Sequence, residues 1–320
     1  MPGFLPSLIP LALLLAGAQD APVPVAPEID PAAPTIALGV VDERMTVPVQ
    51  IAGAGPYRFV IDTGAERTVI SRELAGTLKL AAGPPMNVTA MSGRSVVDSV
   101  FIPSLTVSTV PEIGRILAPA LWRQHLGGQG LLGIDTLRDH KVLIDFDKET
   151  MAISPSERVS KRPRAMRDEI VVRARSLMGQ LIVTDAEYEG RPIRVVIDTG
   201  SPVSVGNSAM QRLVARTTGR LQAMEMTSAT GGKVSTRYAL VDKVRIGSVT
   251  FAGLPIAFAD VPPFKRFGLD RRPAMLLGMN ALKFFRQVAI DFPNREVRFR
   301  MPREYRTYYR CDDARGVGCV

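Results

Sequence analysis

Two short segments of this chain place a carboxylate, a hydroxyl and a glycine in a row. Asp62-Thr63-Gly64 follows the apolar run Phe59-Val60-Ile61, and Asp198-Thr199-Gly200 follows Val195-Val196-Ile197. A buried strand that ends in these residue types puts an acid where the backbone can turn sharply. Two carboxylates brought close together cannot both ionise easily, so they share one proton and titrate as a pair.

Such a pair can hydrolyse a carbonyl group without a covalent intermediate. The ionised acid takes a proton from a water molecule lodged between the two, while the protonated acid polarises the scissile carbonyl. We therefore predict that Asp62 and Asp198 form a catalytic dyad, with the roles of base and acid left open. Threonines that link the loops by hydrogen bonds and glycines that permit close backbone approach are expected to support them: Thr63, Gly64, Thr199 and Gly200.

The segments downstream of each Asp-Thr-Gly recur in the same order. The repeat distance is 136 residues at the Asp-Thr-Gly copies, 145 at the Leu-Leu-Gly copies and 146 at the Ile-Asp-Phe copies. This order indicates an internal duplication whose halves differ in the length of their middle loops. The later copies are Leu131-Leu132-Gly133 with Leu276-Leu277-Gly278, and Ile144-Asp145-Phe146 with Ile290-Asp291-Phe292. The acids of this region are interpreted as structural: Asp135, Asp145 and Asp291.

These repeated motifs resemble those of the aspartic proteases, in both their retropepsin-like and pepsin-like forms. Asp62-Thr63-Gly64-Ala65 is similar to the retroviral catalytic loop, and Asp198-Thr199-Gly200-Ser201 is similar to the pepsin version. The resemblance covers about residues 40 to 300. It implies an all-β, bilobal fold of two related β-barrel lobes with short helices, in which each catalytic loop is braced by the Leu-Leu-Gly segment of its own lobe.

The resemblance also implies flaps over the site, and here the chain departs from the pepsin pattern. Pepsin-like enzymes carry a Tyr on a flap, and no Tyr lies between Asp62 and Leu131. The flap candidates are Met91-Ser92-Gly93-Arg94 and Thr230-Gly231-Gly232-Lys233. Two glycine-bearing tips favour two retropepsin-like flaps, and Ala65 lacks the hydroxyl that pepsin-like lobes place after the Gly. The flap positions expected to bind substrate are Gly93, Gly231 and Gly232.

Composition narrows the classes of function. The chain has 320 residues and 46% hydrophobic content, enough for two lobes with a core each. Its net charge of +9 is spread along the sequence and aromatics are 6%, which favours a solvated basic surface over a nucleic-acid partner. The chain contains two His, two Cys and no Gly-x-Ser-x-Gly motif. We therefore predict that it is not a serine hydrolase and that it binds no metal or other cofactor. Trp122 is predicted to be core or pocket wall, and His125 and His140 to be loop or surface residues.

The beginning of the chain has the composition of an export signal. Leu11 to Leu15 form a short apolar core, and Ala16-Gly17-Ala18 supply the small residues that a signal peptidase prefers. The preceding residues contain no Lys or Arg, and an uncleaved anchor fits less well because Pro6 and Pro10 interrupt the apolar stretch. We therefore expect a periplasmic or secreted protein with no membrane span after cleavage.

The remaining segments follow from composition and periodicity. Alternating apolar residues predict strands, including two within Ser95 to Val110, and three helices are predicted from capping residues. The helices are Ser71 to Leu80, Asn207 to Thr217, and Met279 to Arg286 with Asn280 as its cap. A small-loop disulfide between Cys311 and Cys319 is predicted in an oxidising compartment. The predicted segments are a signal peptide at 1–18, a Pro/Ala-rich linker at 19–38, lobes at 39–154 and 169–303, a basic connector at 155–168 and a tail at 304–320.

Taken together, these patterns predict an exported aspartic endopeptidase that cleaves peptide or protein substrates as a monomeric pseudo-dimer. The first alternative is a catalytically inactive peptide-binding protein that retains the cleft. Intact Asp-Thr-Gly in both halves favours the enzyme, because an inactive descendant needs neither carboxylate. The second alternative is that each lobe pairs with the same lobe of another chain, and the short connector favours pairing within one chain.

Overall fold

The computed structural model describes residues 36–37, 39–41, 44–107, 110, 112–159, 165, 168–218 and 221–302. The predicted signal peptide, most of the predicted Pro/Ala-rich linker and the tail with Cys311 and Cys319 lie outside the described residues. Strands dominate the described part and the helices are short, which confirms the all-β, bilobal prediction. None of the described helices is long and apolar enough to cross a membrane.

The first half begins with short strands and ends in a hairpin. Its strands are β1 (Ile36–Ala37), β2 (Gly39–Val41), β3 (Arg44–Ile51), β4 (Ala54–Ile61), β5 (Val69–Ser71), β6 (Met86–Ala90), β7 (Gly93–Val97), β8 (Ser99–Ile102), β9 (Leu105–Val107), β10 (Ile116–Leu121), β11 (Gly130–Leu132), β12 (His140–Asp145) and β13 (Thr150–Pro155). Its helices are α1 (Arg72–Thr77), α2 (Arg123–Leu126) and α3 (Ile134–Leu137).

The second half follows the same plan. Its strands are β14 (Glu169–Leu177), β15 (Gln180–Val183), β16 (Ala186–Tyr188), β17 (Arg191–Pro192), β18 (Arg194–Ile197), β19 (Ser204–Gly206), β20 (Gln222–Thr227), β21 (Lys233–Val241), β22 (Val244–Ile246), β23 (Val249–Phe251), β24 (Leu254–Phe258), β25 (Ala274–Leu277), β26 (Gln287–Asp291) and β27 (Glu296–Arg300). Its helices are α4 (Ser208–Val214), α5 (Pro262–Arg266) and α6 (Met279–Leu282).

Strand pairing repeats between the halves. The order β4-β11-β5-β10-β8 in the first lobe corresponds to β18-β25-β19-β24-β21 in the second. In both lobes the strand that ends at the catalytic loop runs parallel to the Leu-Leu-Gly strand, with Val60 opposite Leu131 and Val196 opposite Leu276. Consecutive residues of these strands are buried, as expected for strands covered on both faces. The predicted bracing of each loop by its own Leu-Leu-Gly segment is present.

The lobes share one sheet. Strands β1, β13, β12, β26, β27 and β14 lie side by side in that order, three from each half. At its centre the two Ile-Asp-Phe strands pair antiparallel, with Ile144 opposite Val288. Both side chains are completely buried in a core cluster that contains residues of both lobes. The tertiary structure therefore joins the duplicated halves through their equivalent strands.

All three predicted helices are present, and the predicted capping residue is correct in two of them. The Ser71 hydroxyl accepts a hydrogen bond from the Leu74 amide at the start of α1, and Asn207 caps α4 in the same way. The prediction for Asn280 was wrong, because α6 is capped at Gly278 and Asn280 lies within the helix. All three helices end earlier than predicted, at Thr77, Val214 and Leu282. After α4, for example, the Thr217 and Thr218 amides both donate to Val214 O and close the last turn.

The region Ser95 to Val110 holds one strand more than predicted. The division at Pro103 is correct, but the chain also breaks at Asp98. The reason is a change of partner: β7 pairs with β6 in a separate hairpin, whereas β8 pairs with β10 in the lobe's main sheet. The predicted linker also contains β1, because Ile36 and Ala37 pair with Met151 and Thr150.

Candidate active site

Thr63 and Thr199 connect the two Asp-Thr-Gly loops through reciprocal hydrogen bonds. Each backbone amide donates to the other threonine's hydroxyl, at 3.1 Å in both directions. Each hydroxyl in turn donates across the boundary between lobes, from Thr63 to Ile197 O at 2.9 Å and from Thr199 to Ile61 O at 2.7 Å. Both side chains are almost fully buried. The loops therefore face each other in a fixed, nearly symmetric arrangement, as the sequence predicted.

The glycines of these loops let each carboxyl group pack against the opposite loop. A Cβ on Gly64 would lie 2.7 Å from Asp198 Oδ1, and a Cβ on Gly200 would overlap the Asp62 carboxyl group. Neither glycine has a positive φ, so the space, and not the backbone conformation, requires glycine here. Asp62 and Asp198 are thereby brought to the same interface between the lobes.

Backbone amides hold both carboxylates. Asp62 Oδ1 accepts hydrogen bonds from the amides of Gly64 and Ala65, both at 2.9 Å, and Asp198 Oδ1 accepts one from Gly200 at 3.1 Å. Asp198 is only 6% exposed, and Asp62 is half-buried. Ser201 occupies the position where pepsin-like lobes carry a hydroxyl, and it donates to Val203 O at 2.7 Å.

A second set of hydrogen bonds connects the segment after each catalytic loop to the Leu-Leu-Gly segment and the short helix of the same lobe. Thr68 Oγ1 accepts from the Gly133 amide at 3.2 Å and donates to Asp135 at 2.8 Å. The second lobe repeats the pattern: Ser204 Oγ accepts from the Gly278 amide at 3.1 Å and donates to Asn280 at 2.8 Å. Asp135 is structural, as interpreted from the sequence. The sequence signal that could have found this contact is the hydroxyl-bearing residue four positions after each Asp-Thr-Gly glycine.

The other two acids of the repeats also have structural partners. Asp145 accepts hydrogen bonds from the Lys148 amide and from Gln287, at 3.0 and 2.6 Å. Asp291 accepts from Ser156 and from the Asn294 amide, both at 3.0 Å. Both contacts lie at strand ends of the shared sheet, which confirms the structural interpretation.

Both predicted flaps are hairpin tips, and the tips touch. Met91 and Ser92 join β6 to β7, and the turn at Thr230 and Gly231 joins β20 to β21. The hydroxyls of Ser92 and Thr230 are 3.2 Å apart. A Cβ on Gly232 would meet Ser92, and one on Gly231 would meet the His125 ring. Binding of substrate by Gly93, Gly231 and Gly232 stays a prediction.

Each flap tip also reaches an apolar cluster of the opposite lobe. Met91 packs against the second lobe's cluster, and Ala229 packs against that of the first lobe. The first cluster consists of Val60, Val69, Val97, Leu121, Leu126 and Leu131. The second includes Val196, Val205, Val261, Phe264, Phe267 and Leu276. The flap tips therefore contact the buried core of the opposite lobe as well as each other.

Trp122, His125 and His140 lie in different surroundings. Trp122 is not a core residue, because it is 51% exposed, and the Arg72 guanidinium lies 4.9 Å from its ring centre. Its interpretation as a pocket wall stays a prediction. His125 lies on α2 beside the second flap. His140 begins β12, and partial burial lowers its pKa while Asp139 opposes this effect. Within the described ranges, no three His, Cys, Asp or Glu side chains are grouped to hold a metal ion.

Two contacts between the lobes had no signal in the sequence. Arg266 of α5 forms an ion pair with Glu66, at 2.5 Å, just after the first catalytic loop. Gln180, the first residue of β15, donates from Nε2 to Gly64 O at 2.9 Å. Both residues come from the second lobe and contact the loop of the first. Nothing in their spacing along the chain distinguishes them from other polar residues.

Comparison with protein families matches each half separately. Residues 47–139 match the family described as "gag-polyprotein putative aspartyl protease", and residues 184–281 match the family described as "Aspartyl protease". Each matched segment contains one Asp-Thr-Gly and one Leu-Leu-Gly. No curated protein matched the chain. With one family match on each of two lobes that face each other through their Asp-Thr-Gly loops, this chain is a retropepsin-like aspartic protease with both lobes in one polypeptide.

Proposed function

We propose that this protein is an exported endopeptidase in which Asp62 and Asp198 activate water to cleave peptide bonds. The observation that carries the proposal is the reciprocal packing of the two loops, with each carboxyl group against the other loop's glycine. Two acids in this position share one proton, because ionising both would place like charges side by side. The chemistry needs no metal and no covalent intermediate.

In the proposed mechanism the ionised carboxylate accepts a proton from water, and the protonated one donates to the peptide carbonyl. Amides of the loops hold the carboxylates in position, at 2.9 to 3.1 Å. The Ser92 and Thr230 tips must separate to admit a peptide, since they touch each other. Closure over a bound peptide then excludes bulk water, which strengthens the electrostatic interactions within the site.

Two further parts of the proposal concern location and assembly. Export is supported by the apolar and small-residue composition of residues 1–18. Action as a monomer is supported by the hydrogen bonds between Thr63 and Thr199, which join loops of the same chain. A peptide or protein is the proposed substrate.

The dyad is tested with Asp62→Asn and Asp198→Asn, each assayed against a peptide library. Each variant is expected to lose about 10²- to 10⁴-fold in kcat, because one partner of the proton transfer is removed. Asp139→Asn is the matched control, since the Asp139 side chain is 81% exposed and its ion pair with Arg138 lies on the surface. Thermal unfolding of all three checks that the fold is retained.

The results of these assays distinguish the peptidase from the inactive peptide-binding protein. Full activity in either dyad variant would contradict a shared catalytic pair. Peptide binding by the wild-type protein without cleavage would favour the inactive peptide-binding alternative. In the active enzyme, the rate is expected to fall as pH rises past the upper pKa of the pair, because the shared proton is then lost.

A further inference from the structure

Gln180 places a hydrogen-bond donor from the second lobe on the catalytic loop of the first. Its side chain is 1% exposed, and Nε2 donates to Gly64 O at 2.9 Å. The preceding turn is fitted closely to the first lobe: Gly179 has a φ of +91°, and a Cβ there would lie 2.5 Å from Ile134. The amide of Gln180 is therefore held in place by packing as well as by its own bond.

The acceptor of this bond belongs to the same peptide unit that supports Asp62. The carbonyl oxygen of Gly64 and the amide of Ala65 are the two ends of one planar peptide group. The Ala65 amide donates to Asp62 Oδ1 at 2.9 Å. A donor on the carbonyl end polarises the peptide and strengthens the hydrogen bond that its amide donates. Gln180, the peptide and Asp62 thus form a chain of two hydrogen bonds that crosses the boundary between lobes.

The oxygen of the Gln180 side-chain amide shows that the orientation of this amide is set by its donor. Gln180 Oε1 is buried and has no hydrogen-bond partner among the described residues. A buried acceptor without a partner costs stability that an apolar side chain of similar shape would avoid. Turning the amide over would place Oε1 against Gly64 O, two acceptors facing each other. The side chain thus keeps its donor on the catalytic loop although its acceptor is unsatisfied.

From this geometry we infer that Gln180 is a positioning residue for the dyad: acting through the Gly64–Ala65 peptide, it stabilises the ionised form of Asp62. Other charged side chains also lie around this loop. Glu66 and Arg266 pair with each other, Asp135 is held by Thr68, and Asp198 faces Asp62 from the other loop. Arg67, also in the loop, is exposed. The catalytic consequence rests on the proposed function, whereas the effect on Asp62 does not.

The direct test is the titration of the dyad in Gln180→Met, which keeps the side chain's length and removes its donor. The protein is labelled with ¹³C at the aspartate carboxyl carbons, and the Asp62→Asn spectrum assigns the signals. The lower pKa of the pair is expected to rise by about 0.5 unit, because a weaker bond from Ala65 favours the ionised form less. An unchanged lower pKa in the folded variant overturns the inference. Gln50→Met is the control, since Gln50 is exposed on β3.

Gln180→Glu supplies a readout that a purely structural role would not give. A protonated Glu can donate to Gly64 O, whereas an ionised one repels that oxygen. Burial raises the pKa of such a carboxyl group, so the change in protonation falls in an accessible range of pH. The activity of Gln180→Glu, divided by that of the wild type at the same pH, is expected to rise as pH falls. A ratio independent of pH contradicts the inference, and because this ratio does not involve Gln180→Met, it tests the inference even where Gln180→Met does not fold.

Kinetics separate this inference from the proposed function. In Gln180→Met we expect kcat to fall about threefold with KM unchanged, and the acid limb of the kcat/KM profile to move to higher pH with the dyad's lower pKa. A wild-type protein without peptidase activity, in which Gln180→Met still shifts the Asp62 titration, would refute the proposed function and support the inference. If the wild-type protein is active and Gln180→Met changes neither the titration of the pair nor the pH profile of kcat/KM, the proposed function is supported and the inference is refuted.

Discussion

At the scale of single residues, the catalytic loops depend on the absence of side-chain atoms as much as on the acids. Gly64 and Gly200 lie against Asp198 and Asp62, and neither has a backbone conformation that favours glycine. What they provide is room for the opposing carboxyl group. This explains why glycine follows the Asp-Thr pair in both halves: its amide binds the acid of its own half, and its missing side chain leaves room for the acid of the other half.

Gly200→Ala is expected to destabilise the protein by about 1–3 kcal/mol, because its Cβ would overlap the Asp62 carboxyl group and force the lobes apart. Chemical denaturation measures the change, and peptide cleavage should fall more than the folded fraction does. Gly76→Ala in α1 is the control: a Cβ there meets nothing within 4 Å, and its stability should stay equal or increase. Equal stability changes in the two variants would contradict the steric account.

At the scale of elements, the hydrogen bonds that connect the loops to the short helices recur in both lobes although the acceptor residue differs. Asp135 accepts from the Thr68 amide and hydroxyl in the first lobe. Asn280 accepts from the Ser204 hydroxyl in the second and also donates to Pro255 O at 2.9 Å. An oxygen acceptor is what the two positions share. These hydrogen bonds connect the segments that follow the catalytic loops to α3 and α6.

Asp135→Ala is expected to cost about 1–3 kcal/mol, because the Thr68 amide and hydroxyl both lose the carboxylate oxygen that accepts their hydrogen bonds. Asp135→Asn should retain most of the stability, since Asn is the residue at the equivalent position 280 and keeps an acceptor oxygen. Urea denaturation of the two variants gives both values, with kcat as a second measurement of loop order. The idea of a shared acceptor fails if Asn and Ala destabilise the protein equally.

At the scale of the whole molecule, the two lobes share one sheet and one core cluster. Their equivalent strands β12 and β26 pair with each other, and the main core cluster includes residues of both halves. The ion pair between Glu66 and Arg266, the bond between Gln180 and Gly64, and the contacts of the flap tips also cross the boundary. The site at the two Asp-Thr-Gly loops is therefore built from residues of both lobes.

Ile144→Ala is expected to destabilise both lobes together, by about 2–5 kcal/mol, because Ile144 is fully buried at the centre of the shared sheet. Hydrogen exchange can follow amides of β4 and β18 separately, and protection should fall in both. Leu240→Ala is the control, since Leu240 is 57% exposed. Loss of protection confined to the first lobe would contradict cooperative unfolding.

Much of this fold and site could be predicted from the sequence because the repeated motifs are local. Asp-Thr-Gly after an apolar run specifies a strand and a tight loop, and its recurrence with Leu-Leu-Gly and Ile-Asp-Phe specifies two related lobes. The Ser71 and Asn207 caps were predictable for the same reason, because a cap bonds an amide three residues away. Asn280 was not, because its partners Ser204 and Pro255 are far away in the sequence.

The sequence by itself predicted which residues form the dyad and which glycines and threonines support it, and it determined that the halves are duplicates. Only the tertiary structure decided how the halves meet: which glycine faces which acid, which flap covers which apolar cluster, and that Gln180 and Arg266 reach the first catalytic loop. The physical reason is that short-range order follows from propensity and periodicity along the chain. Contacts between lobes such as those of Gln180 with Gly64 and of Arg266 with Glu66 depend on the packing of surfaces whose residues are far apart in the sequence and belong to no repeated motif.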